Sequence, residues 1–151
     1  MRMNIFRTLA VAAVFAALPS LAYAEGPFDY YTLPPCRVVD TRNPVATNGG
    51  PALSSEVDRT FSIRGACGVP MNARAVTFNV TITGASTDGF IMLWPTNRSQ
   101  PYTAGTIHFK ATDMALANGA IVALGTNSPD LYALNSDGTV HLLLDVTGYF
   151  K

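Results

Sequence analysis

Hydrophobic and polar positions alternate along most of the chain beyond residue 25. The clearest run is 73–83, where Val76, Phe78, Val80 and Ile82 share one face and Ala75, Thr77, Asn79, Thr81 and Thr83 share the other. A period of two with β-branched residues predicts a strand buried on one side. The same pattern returns over 138–150, with Val140, Leu142, Leu144 and Val146 on one side and His141, Leu143, Asp145 and Thr147 on the other. Shorter strands are predicted at 36–41, 59–64, 89–94, 105–109, 119–124 and 131–135. The run Phe90-Ile91-Met92-Leu93-Trp94 is apolar on both faces and belongs in the middle of a sheet. Only 113–118, which contains Met114-Ala115-Leu116-Ala117, has helical character, and it is too short to stand as a helix alone.

Turn chemistry separates these runs. Asn48-Gly49-Gly50-Pro51 marks a loop, and Asp88-Gly89 and Asp137-Gly138 predict type I′ hairpins. About eight short strands with frequent turns predict an all-β fold, an antiparallel β-sandwich or jelly roll. It forms a single domain over 25–151.

The first 24 residues follow another pattern. Arg2 and Arg7 precede an apolar run over 8–18, Pro19 and Ser20 break that run, and Ala22-Tyr23-Ala24 places small residues where a signal peptidase reads. These are the zones of a secretory signal peptide, predicting cleavage after Ala24. The run is too short for a spanning helix, and no later stretch is long and apolar enough to cross a membrane as one. The expected location is secreted, periplasmic or cell surface. Export makes the two cysteines, Cys36 and Cys67, a disulfide pair rather than a metal or redox site. Their separation of 31 residues gives a loop-closure contribution of roughly 3.5–4 kcal/mol.

Composition narrows the function. Charged residues are 13% of the chain, ten basic against ten acidic, and removing Arg2 and Arg7 leaves a slightly acidic remainder. That excludes a basic face for nucleic acid. Lys110 and Lys151 are the only lysines, so strand edges carry little guarding charge and can pair with another copy.

The order of motifs is informative. Pro35-Cys36-Arg37-Val38-Val39-Asp40-Thr41-Arg42 is followed by Cys67-Gly68-Val69-Pro70, Ala75-Val76-Thr77-Phe78-Asn79-Val80-Thr81, Gly89 to Pro95, and Ala117-Asn118-Gly119-Ala120-Ile121-Val122. Asp145-Val146-Thr147-Gly148-Tyr149-Phe150 closes the series. This order resembles a family of exported bacterial β-domains that occur in tandem or attached to hydrolases in surface proteins. The resemblance runs from about Phe28 to Phe150. It implies a compartment and a fold and brings no established activity with it. This chain carries a single copy, so the resemblance implies that it acts alone, self-assembles or serves as an accessory piece.

Candidate chemistry is sparse. His108 and His141 are the only histidines, and each reads as a surface or hydrogen-bonded side chain. No nucleophile elbow, zinc motif or phosphate-cradling glycine loop is present. Asp40 and Asp145 are the candidate carboxylate pair for a glycoside-cleaving cleft. The competing expectation is a structural polar network of Asp40, Arg42, Asn79 and Asp145, in which the opening and closing strands lie close and Arg42 reaches Asp40, Asp145 or nearby carbonyls. Asn135-Ser136-Asp137-Gly138 lacks the repeated acidic positions of a calcium loop, and no metal or cofactor is expected. Trp94, Tyr102 and Tyr132 with Asn97 and Gln100 are the candidate glycan-binding group, against which Phe90 and Met92 argue that Trp94 is core.

Two functions follow. The first is an exported non-enzymatic sandwich for surface interaction through adhesion, glycan binding or self-assembly, with a glycan, another surface protein or a second copy as partner. The second is a small secreted hydrolase, or an accessory to one, using carboxylates in a cleft. They differ in whether Asp40 and Asp145 face an open pocket or are sealed by hydrogen bonds.

Overall fold

The computed structural model describes residues 26–101 and 105–151. The predicted signal peptide and Tyr102 lie outside the described residues. Nine strands follow in chain order: β1 (Tyr30–Asp40), β2 (Leu53–Ser54), β3 (Arg59–Phe61), β4 (Ala75–Thr83), β5 (Gly89–Pro95), β6 (Ile107–Phe109), β7 (Ala115–Ala123), β8 (Leu131–Asn135) and β9 (Thr139–Phe150). One sheet has the order β1-β9-β4-β7, with β2 also on β9, and the other has the order β3-β8-β5-β6. Every strand pairing is antiparallel. The fold is thus an antiparallel two-sheet β-structure. No helix occurs among the described residues, and so none long and apolar enough to cross a membrane.

The alternating runs bury the sides expected of them. Val76, Phe78, Val80 and Ile82 from β4 and Val140, Leu142, Leu144 and Val146 from β9 are all buried. They meet Ile91, Leu93, Leu131 and Ala133 of the other sheet in one core. Burial of this apolar surface is the main driving force for the fold. β5 lies between β8 and β6, as its two apolar faces require. Its second face builds a smaller cluster of Met92, Trp94 and Leu134, with Phe90 and Tyr132 packed against it.

Two local readings are corrected. The segment with helical character enters β7 at Ala115, and that strand keeps unbroken register with β4 from Ala75↔Ala123 to Thr83↔Ala115. Nine ladder pairs outweigh the weak helical preference of a few residues. Asp88-Gly89 and Asp137-Gly138 do not close hairpins. They join β4 to β5 and β8 to β9, and each connection crosses between the two sheets. Only Gly138 of these four residues has positive φ, at 57°, whereas a type I′ turn needs it at both central positions. A side chain at Gly138 would also collide with Ser86 and Thr87.

The disulfide Cys36–Cys67 joins β1 to the connection between β3 and β4, with its Cα atoms 5.6 Å apart.

Candidate functional site

The densest polar arrangement lies where β1 meets β9. Arg37 and Asp145 are register partners. Arg37 donates from Nε to Asp145 Oδ1 at 2.8 Å and from Nη2 to Asp145 Oδ2 at 3.0 Å. This parallel two-bond grip is the strongest geometry open to an arginine and a carboxylate. Arg37 Nη1 also reaches Asp40 Oδ2 at 3.4 Å.

Arg42 holds the other side of Asp40. Its Nε donates to Oδ1 at 2.9 Å, its Nη2 to Oδ2 at 2.7 Å and its backbone N–H to Oδ1 at 3.1 Å. The Arg42 hydrogen bonds outweigh burial and hold the Asp40 carboxyl down at about 2. Both guanidinium groups are shifted upward, chiefly by their hydrogen bonds to Asp145 and Asp40 respectively. Asn79 stands opposite Asp145 in the β4–β9 ladder, but its amide donates to Thr81 Oγ1 at 3.3 Å and is exposed.

The sequence reading overlooked Arg37 because strict alternation puts residues 37 and 40 on opposite faces. A register shift between Arg37 and Val39 cancels that parity. The extra residue, Val38, lets Val39 turn inward beside Leu144 while Arg37 and Asp40 both sit on the outer face, opposite Asp145 and Leu143.

This arrangement is poorly suited to acid–base chemistry. Asp40 lines a cavity of about 460 Å³ with Asn43 and Asn48. Its oxygens are already engaged by two arginines, and both oxygens of Asp145 are engaged by one. A general acid in a glycosidase needs a raised pKa, and Asp40 is moved the other way. His141 bonds through Nδ1 to Thr41 Oγ1 at 3.2 Å, and that oxygen accepts from the Leu142 N–H at 2.9 Å. The histidine belongs to a structural contact between β9 and the end of β1. His108 leans against Phe90, with ring centroids 5.4 Å apart.

Two further clamps escaped the sequence reading. Asp130 is fully buried and accepts from the backbone N–H groups of Ile63 and Arg64 and from Arg64 Nε. Arg64 also donates to the Gly125 carbonyl. Arg59 gathers the carbonyls of Gly49, Gly50 and Pro51, and its guanidinium lies 5.1 Å from the centroid of the Phe61 ring. Partial burial lowers the Arg59 pKa. The local sequence offered no signal for either clamp: Asp130 lies 66 positions from Arg64, and the groups Arg59 holds are backbone carbonyls, which carry no side-chain signature.

The candidate glycan-binding residues are dispersed. Trp94 is 4% exposed and stacks on Tyr132 at 5.2 Å, leaving little of its indole open to a sugar. Asn97 lines one cavity beside Arg98 and Arg74, and Gln100 lines another above Met92 and Leu134. No cluster of three or more potential metal ligands occurs among the described residues.

No family model, curated protein or solved structure matches the chain.

Proposed function

We propose that this chain is an exported, non-enzymatic interaction domain that self-assembles by pairing β7 with β7 of a second copy. The observation that carries the reading is the condition of that edge. β7 is bonded to β4 on one side, and no described strand pairs with its other side. Its sequence, Ala-Leu-Ala-Asn-Gly-Ala-Ile-Val-Ala, holds no charge and no proline, and its register with β4 contains no bulge. Ile121 is 68% exposed, and Met114 just before the strand is 90% exposed. Long, flat, uncharged edges are templates for another strand.

The opposite edge of the same sheet is guarded. β1 contains Pro34, Pro35 and Arg37 and has two register shifts. These devices discourage strand addition. On β7 a two-fold axis at Gly119 sets Ala117 opposite Ile121 and Leu116 opposite Val122, so no like charges oppose each other.

Export is supported by the signal pattern over 1–24 and by the disulfide, a bond that persists in oxidising compartments. The resemblance to exported bacterial β-domains points the same way. The non-enzymatic reading is supported by the saturation of Asp40 and Asp145, the carboxylate pair on which the hydrolase alternative rested.

Sedimentation velocity across a concentration series tests the assembly. The wild type is expected to associate, and the double substitution Ala117→Lys with Ile121→Lys is expected to leave monomer, because it sets lysines against lysines. A wild type that stays monomeric throughout, or a variant that associates equally well, overturns the reading.

A further inference from the structure

The outer face of the second sheet carries a groove unrelated to the β7 edge. Phe90 of β5 is the half-buried part of its floor, and Met92 of β5 and Leu134 of β8 lie buried beneath it. Its volume is about 770 Å³, within the range of ligand-sized clefts. Val57, 58% exposed, adds an apolar wall. Glu56, Asp58 and Asp137 stand on the rim, all exposed, and no Lys, Arg or His lines the groove among the described residues.

These carboxylates differ from those that hold the fold together. Asp40, Asp130 and Asp145 are all held by arginines. Asp88 and Asp113 accept backbone N–H groups in their turns. Among the described residues no side-chain hydrogen bond or ion pair engages the rim carboxylates. A cleft bordered by charge of one sign over an apolar floor focuses its field on an incoming ligand of opposite sign.

The rim is also held in place. The Glu56 N–H donates to the Asn135 carbonyl at 2.8 Å, and Ser55 Oγ donates to the Ser136 carbonyl at 2.9 Å. Ser136 Oγ in turn accepts the Phe90 N–H at 3.0 Å. The wall is thus fastened to the same strands that supply the floor, and a site organised in advance loses little entropy on binding.

We propose that this groove binds a basic, amphipathic segment of a partner protein. An apolar side chain of that segment rests on Phe90 beside Val57, and lysine or arginine heads reach Glu56, Asp58 and Asp137. The long stems of those side chains cover Val57 while their charges stay at the hydrated rim. The acidic rim disfavours anionic lipid surfaces and acidic peptides. This inference stands independently of assembly through β7.

The test uses the disulfide-bonded protein and a blocked pentapeptide alternating leucine with lysine, followed through the methyl NMR signals of Val57, Met92 and Leu134. Fluorescence of Trp94, the single tryptophan and a member of the cluster beneath the groove, gives a second readout. The lysine peptide is expected to shift these signals, and its glutamate counterpart is not. The triple variant Glu56→Gln, Asp58→Asn, Asp137→Asn changes only exposed side chains and is expected to weaken binding about tenfold. The Ile121→Lys variant is expected to bind as the wild type does, which separates groove binding from strand addition. Equal binding of both peptides, no loss in the triple variant, shifts confined to β7, or no shift at millimolar peptide would each overturn the proposal.

Discussion

Arg37 and Asp145 face one another across the β1–β9 ladder, and two parallel hydrogen bonds of 2.8 and 3.0 Å join them. The pair links the opening and closing strands of the domain, and its guanidinium extends to Asp40. Because Arg37 is substantially exposed, solvent screening limits the pair to about 1 kcal/mol. Asp145→Asn is therefore expected to lower the melting temperature by roughly 3–6 °C. Calcium or a chelator should leave that value unchanged. A mutant that melts like the wild type but loses a calcium response would move Asp145 into a functional site.

Asp40 makes the domain sensitive to acid. Its folded pKa, about 2, lies below the ordinary value of 3.8, so the folded state favours the ionised form. That contribution is complete above the ordinary value and disappears as pH falls through the folded one. Acid titration of stability is expected to show a decline between about pH 4 and 2, and Asp40→Asn should flatten it. An unchanged acid limb in the variant would contradict the Arg42–Asp40 assignment.

The disulfide should be a major stabiliser. Cys36→Ser opens a 31-residue separation and is expected to cost roughly 3.5–4 kcal/mol, a fall in melting temperature of about 10–20 °C. Thiol titration of the native wild type should find no free cysteine, and two titratable thiols would refute the pairing.

Asp130 is expected to be the most sensitive acidic position. Asp130→Ala removes the acceptor for two backbone N–H groups and leaves Arg64 without its carboxylate partner. Breaking such a buried pair costs about 3–5 kcal/mol. Urea denaturation should show a lower midpoint with an unchanged slope. A loss no greater than that of Asp145→Asn would mean that water replaces the carboxylate.

Processing of the proposed signal segment is expected to give a mature chain beginning at Glu25. Intact-mass analysis of exported protein checks this directly, and a full-length chain retained in the inner membrane would count against export.

The alternation over 73–83 and 138–150 was enough to name the buried residues of β4 and β9, because each strand's inward and outward positions are a local property of its pleat. The cysteine pair was legible for a different reason: only two cysteines are present, so an intramolecular disulfide has one possible pairing. The candidate site was less legible. Asp40, Arg42 and Asp145 stand out as charges among apolar neighbours, yet the link between the two strands is Arg37, whose orientation depends on the register shift at Val38. Phe90 and Met92 were enough to argue that Trp94 is core, but the ring stacked on it, Tyr132 of β8, lies 38 positions away and could not be read locally. The acidic groove draws its rim from 56–58 and 136–137, two segments with no shared local pattern.

What the sequence determined by itself was therefore the β class, the faces of the long strands and the covalent cross-link, all consequences of side-chain period and residue count. The tertiary structure decided which sheet each strand joined, why Asp88-Gly89 and Asp137-Gly138 cross between sheets instead of folding back, and which charges meet. A dipeptide can bend the chain, but the direction it takes afterwards depends on where the next apolar face finds a partner. For β5 and β9 that partner lay in the sheet opposite to the strand just before each of them.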